Sequence, residues 1–175
     1  MAQGLWLARM NNALELLRDL DLGYPMGENI VHPPPDRTII SRLASAADLP
    51  IQSKLMSVYE ICNGVSLPDI HVGYFVHPAE TVIRGLERGE PTSLTGPHRR
   101  SIVVFGTDGG GGRFALGRSG GEVLYLGEGS VHDAVFDGIH GDARMLSPNL
   151  ETFLERLLAD TEAFVRAAPN WTYLV

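Results

Sequence analysis

The sequence predicts an α+β domain: a central mixed or antiparallel sheet flanked by N-terminal helices and a C-terminal helix. Three observations predict it. Residues 5–62 repeat their apolar side chains at helical spacing, apart from one stretch rich in proline and glycine. From about residue 70 the pattern changes to alternation and short apolar runs separated by glycine-rich turns. Residues 147–168 then return to the helical period in one stripe.

The first helix is expected over Leu5–Leu20, where Trp6, Met10, Ala13, Leu14, Leu17 and Leu20 share a face and Gly23 follows as a C-terminal stop. The glycines and prolines of residues 23–35 read as a connector, extended and polyproline-like at Pro33-Pro34-Pro35. Residues 1–35 are therefore expected to form an appendage, residues 36–168 the main domain, and residues 169–175 a tail. Asp36 is placed to cap a short helix carrying Ile39, Ile40, Leu43, Ala46 and Ala47, which must end before Pro50. A further helix over Gln52–Cys62 buries Leu55, Val58, Tyr59 and Cys62, and Asn63-Gly64 offers it a left-handed cap.

Ile70, Val72, Tyr74 and Val76 alternate with His71, Gly73, Phe75 and His77, which is strand spacing. Pro78 fits the first position of a helix carrying Val82, Ile83 and Leu86 to Gly89, and residues 90–100 read as loop. Ile102-Val103-Val104-Phe105 is a continuous apolar run, as expected of a strand covered on both faces. Asp108 and Gly109 to Gly112 turn the chain, Asp108-Gly109 suiting a hairpin turn with positive φ. Strands follow over Arg113–Leu116 and Glu122–Leu126, with one more short strand at Ala134–Phe136. Ser147 caps the last helix and Pro148 opens it; Leu150, Phe153, Leu154, Leu157, Leu158, Phe164 and Val165 form its apolar face.

The chain has 175 residues, 44% of them hydrophobic, enough for a core without metal or disulfide support. A single cysteine, Cys62, cannot form an internal bridge. Leu5-Trp6-Leu7 is soon interrupted by Arg9, Asn11, Asn12 and Glu15, so no apolar run approaches the ~20 residues of a spanning helix. Without a signal-peptide pattern or lipidation motif, the expected location is the cytoplasm. Fourteen basic against twenty-one acidic residues give a formal charge of −7, which argues against direct binding to nucleic acid. The same charge suits a basic protein partner, and it equally suits simple solubility.

Four blocks carry a family likeness. Leu49-Pro50 is followed by Leu55, Tyr59 and Asn63-Gly64; Val104-Phe105-Gly106-Thr107-Asp108-Gly109-Gly110-Gly111 is followed by Phe114-Ala115-Leu116; then come Val123-Leu124-Tyr125-Leu126 and the terminal helix with Phe153-Leu154. Their order and spacing over residues 36–160 resemble the SUKH superfamily, which unites bacterial toxin-immunity proteins with fungal regulators of cell-wall synthesis. The resemblance implies a SUKH-like fold and a non-catalytic, protein-binding role. For the bacterial members that role is neutralising a cognate toxin, often a nuclease; for the fungal members it is that of a regulatory adaptor. Residues 1–35 and the tail lie outside the likeness.

The shared residues Leu49, Pro50, Tyr59, Asn63, Gly64, Phe105, Gly106, Asp108, Gly109, Gly110 and Tyr125 are read as chiefly structural. Gly109 to Gly112 could in principle cradle phosphate, but Arg113-Phe114-Ala115 leads into a strand, whereas a P-loop needs Lys-Ser/Thr entering a helix. A small-molecule or enzymatic site at this loop stays as the reading from another class. His71 and His77, six residues apart on one strand face, would stand about 20 Å from each other, too far for one metal. No catalytic, metal or cofactor residue is assigned. The candidate partner contacts are Asp69, Asp108, Arg113, Glu128, Asp133, Asp137 and Asp142, in or near loops around the sheet. Trp171 and Tyr173 either pack back on the domain or present an apolar handle to a partner or to a second copy in a homodimer.

Overall fold

The computed structural model describes residues 3–50 and 52–175. In its first half, α1 (Gln3–Arg18) is followed by β1 (Ile30–Val31), α2 (Arg37–Ala47), α3 (Lys54–Tyr59), β2 (Val65–Leu67), β3 (Tyr74–Val76) and α4 (Ala79–Arg88). The second half runs β4 (Ser93–Leu94), a 3-10 turn (Gly96–His98), β5 (Arg100–Asp108), β6 (Arg113–Gly117), β7 (Val123–Leu126), β8 (Val131–His132), β9 (Val135–Phe136), β10 (Ala143–Ser147) and α5 (Leu150–Val165). The fold is α+β, with helices before and after the strand block.

The sheet is built around β5. Its C-terminal half pairs β3, its N-terminal end pairs β4, and its other edge pairs β6. From β3 the sheet continues to β2 and β1; from β6 it continues to β7 and β10. A small outlying sheet runs β4-β9-β8, and β4–β9 is the parallel pair in a framework otherwise antiparallel among the described residues. The apolar run of β5 is explained by this arrangement. Val103 and Phe105 enter one core with the helices, while Ile102 and Val104 enter a second core with Leu94, Ala115, Leu124, Leu126 and Phe136. Alternation vanishes because both faces are covered.

The α-helices α1 to α5 each contribute to the first core. Phe105 and Phe114 meet Phe153 of α5 at ring-centroid distances of 5.5 and 5.1 Å, the first pair edge to face. Leu157 and Leu158 are buried in the same layer. No helix among the described residues is long and apolar enough to cross a membrane.

Several expectations are corrected by the packing. The first helix shares the core of the domain: Trp6, Met10, Leu14 and Leu17 are buried there, at ~1.5–3 kcal/mol for each such side chain. Trp6 Nε1 donates to the Leu154 carbonyl at 2.9 Å, and Arg9 grips Glu162 through Nε and Nη2 at 3.1 and 2.9 Å. The connector itself adds β1 to the sheet, with Ile30 opposite Ser66. Residues 70–73 form a turn, not a strand. His71 and Gly73 both have positive φ there, and the pairing strand is the unanticipated β2. β4, β8 and β10 also lie where no strand was expected. The last helix is capped by Asn149, whose side chain accepts from Thr152 N at 2.8 Å, so Ser147 and Pro148 precede the cap.

Candidate functional site

The residues of the family-like blocks act on the fold. Leu49 packs partly buried against the core, and its N–H reaches the Ala44 carbonyl beyond the left-handed Asp48, closing α2. Pro50 is exposed and its carbonyl accepts from Ser53 N. Buried Tyr59 donates to the His77 carbonyl at 2.8 Å, and burial pushes its phenol far above the usual range. Asn63 does not cap its own helix. Its Oδ1 accepts from Ala79 N at 2.8 Å and its Nδ2 donates to Glu80, so it caps the start of α4 instead. Gly64 has φ +91, and a Cβ there would lie 2.2 Å from the Val76 carbonyl oxygen. Phe105 is in the core, and Gly106 sits at the bulge between β5 and β6, close against Phe75.

The glycine turn is organised by Asp108, which is almost fully buried. One carboxylate oxygen accepts from Gly110 N at 2.9 Å and Gly112 N at 2.7 Å; the other accepts from Tyr125 Oη at 2.7 Å. Burial and then that bond raise the Tyr125 phenol to about 12. The positive φ falls on Gly111, not Gly109; Gly109 is needed because a Cβ there would meet the Val72 carbonyl oxygen at 2.0 Å. The turn's polar groups are thus spent internally.

The candidate partner contacts differ in burial and in bonding. Asp69 is buried and holds the connector, accepting from Gly27 N at 2.8 Å and from the Asn29 amide. Asp69 and Asp108 are therefore corrected from surface contacts to structural acids. Arg113 is engaged by Glu90 at 2.8 Å. The other four lie on one segment between β7 and β10. Its base is closed by Asp142 N to Glu128 O at 2.7 Å and Gly127 N to Asp142 O at 2.8 Å, and its waist by Asp137 N to Ser130 O at 2.9 Å. Asp133 stands at the tip of the β8–β9 hairpin, where Asp133 and Ala134 both take positive φ.

Within this segment the acids differ. Asp137 accepts from His140 Nδ1 at 2.8 Å and from the N–H groups of Ile139 and His140; the His140 bond foremost holds its carboxyl below the usual range. Asp142 pairs with Arg144, whose guanidinium lies 4.3 Å from the Tyr125 ring centroid. Glu128 and Asp133 are exposed and form no ion pair among the described residues. The same segment carries Ile139, 66% exposed, which borders a cleft with Thr95, Arg99 and Arg100 and was not among the expected contacts. Its signal was available: an isoleucine in a glycine- and aspartate-rich loop has no periodic neighbours to pack with.

His71 and His77 do not share a strand face. The His71 ring stacks on Tyr173 at 4.3 Å, and His77 Nε2 lies 3.0 Å from Thr107 Oγ1. No group of three metal-binding side chains occurs among the described residues. The tail packs back on the domain, while Trp171 keeps 36% of its surface exposed. Trp171 Nε1 and Leu174 N reach the buried carboxylate of Asp160 at 2.9 and 2.8 Å, which also takes the Tyr74 hydroxyl at 3.1 Å. No family model matches the chain, and no curated protein matches it.

Proposed function

We propose that the chain is a non-catalytic binding module for a basic protein, an immunity protein of the SUKH type that occludes a cognate toxin domain in the cytoplasm. One observation carries the reading: Glu128, Asp133 and Asp142 are exposed on a single segment that also exposes Ile139. Acidic groups steer a basic partner into register, and an exposed apolar side chain gives the encounter something to bury. The four SUKH-like blocks support the same reading. Their polar side chains Tyr59, Asn63 and Asp108 serve the fold, which leaves the surface segment to suit the partner.

The partner sought is the product of the neighbouring reading frame, expected to be a large secreted protein ending in a nuclease domain. Association is measured by stopped flow across a salt series. The rate should fall steeply as salt rises, while dissociation changes less. Glu128→Lys with Asp133→Lys should slow association at low salt by about tenfold or more. Glu15→Lys with Glu87→Lys, exposed acids on α1 and α4, serves as the matched control. Equal effects from both pairs would mean that the acidic segment does not steer the partner.

A further inference from the structure

Positive charge gathers elsewhere, around an open cleft of about 360 Å³ where α4 meets β5, β6 and β8. Arg84, Arg88 and Arg113 border it against the single carboxylate of Glu90, in a chain whose acids outnumber its bases. Glu90 holds Nε of Arg113 at 2.8 Å, which fixes that guanidinium and leaves its remaining donors unclaimed by this bond. Arg84 and Arg88 are exposed and form no ion pair among the described residues.

Arg84 Nη2 donates to Thr81 Oγ1 at 3.0 Å, one turn back on the same helix, and both residues border the cleft. Arg84 and Arg88 are four apart on one helix face, where like charges cost roughly 0.2–0.5 kcal/mol. Arg88 is favoured by the helix C-terminus; Arg84, a turn earlier, is not. Between them Gly85 weakens the helix by roughly 0.5–1 kcal/mol relative to alanine. A Cβ at that position would lie 3.0 Å from Glu90 Cγ, so the glycine keeps the wall beside the Glu90–Arg113 pair open. Both departures from a stable helix border the same cleft. Its lining also holds the apolar side chains of Val82, Val104 and Val131, from α4, β5 and β8. His77 adds a hydrogen-bonding group and no charge, since burial lowers its pKa below the ordinary 6.5.

We propose that this cleft binds a small organic anion, a carboxylate or phosphate ester carrying a compact apolar body. Guanidinium forks match both anions in geometry, and the valine wall takes the body. A smaller cavity lined by Trp6, Val58, Leu150 and Leu154, about 20 Å³, has room for little more than a water. The proposal does not rest on the acidic segment: Glu128 and Asp133 do not border the cleft.

The test is calorimetric titration of the full chain with phenyl phosphate, benzoate, inorganic phosphate and acetate at matched ionic strength. Phenyl phosphate or benzoate should bind saturably with Kd of about 1 mM or tighter, and more tightly than inorganic phosphate or acetate. Arg84→Gln with Arg88→Gln should weaken binding at least about tenfold, and Gly85→Leu should abolish it by filling the cleft. Arg42→Gln, on the exposed face of α2, should bind as the parent does. The double variant alters exposed side chains, and its melting temperature reports that the fold is kept. Absence of saturable binding, undiminished binding by the double variant, or equal affinity for inorganic phosphate and phenyl phosphate would each overturn the proposal.

Discussion

The Tyr125 hydroxyl donates to Asp108 across a gap of seventeen residues, at 2.7 Å, tying β7 to the turn that follows β5. Tyr125→Phe removes the donor and should cost about 1–3 kcal/mol at pH 8, the range for a bond to a charged acceptor or a buried group left unsatisfied. The pH dependence has a definite sign. The folded phenol is raised to about 12 from the ordinary 10, so between those values the folded state holds the proton that the unfolded state releases. The stabilisation is complete below pH 10 and is lost as pH rises towards 12. Urea unfolding of both proteins should show their difference narrowing over that window. A constant difference would mean that Tyr125 does not titrate as described.

Asp160 is fully buried in α5 and receives Tyr74, Trp171 and Leu174, with Arg156 Nε at 3.2 Å. Asp160→Ala should destabilise the chain by about 2–4 kcal/mol and free the tail. Limited proteolysis should then cut after residue 168 well before the domain itself is cleaved. Cleavage no faster than in the parent would mean the tail is held by other contacts.

Leu157→Ala should cost about 2–5 kcal/mol, because Leu157 is completely buried where α5 faces the sheet. A loss below about half a kcal/mol, measured by chemical denaturation, would contradict that packing.

Two left-handed positions should respond in opposite directions. Ala134 has φ +59 in the β8–β9 turn, a conformation that costs an L-residue roughly 1–2 kcal/mol. Ala134→Gly should therefore raise the melting temperature slightly, while Gly111→Ala, at φ +93, should lower it. Shifts of the same sign would show that something other than backbone strain governs these turns.

Much of the architecture was legible because its signals are local. The stripe of α5 and the unbroken run of β5 both report burial directly, one on a single face and the other on two. What escaped depends on distant partners. β10, Ala-Arg-Met-Leu-Ser, has no alternating apolar pattern and buries Ser147 alone, and only its pairing with β7 makes it a strand. The alternation from Ile70 to Val76 imitated a strand, although Gly73 marked the turn within it. For the site, the sequence supplied the acids but not their employment. Nothing adjacent to Asp69 announces Asn29, and nothing adjacent to Asp160 announces Tyr74 or Trp171. Glu128, Asp133, Asp137 and Asp142 read as loop acids around the sheet, and the backbone bonds Asp142 N to Glu128 O and Asp137 N to Ser130 O show that one folded segment carries all four.

β5 has one flank in each core, so neither core can open without exposing a side of the same strand. Its central amides, from Ile102 to Phe105, should exchange with deuterium only through whole-molecule opening, at a protection matching the global unfolding free energy. The helical layer and the small β4-β9-β8 sheet are thereby bound into one melting unit, and a lesion in either should be felt calorimetrically as a shift of a single transition.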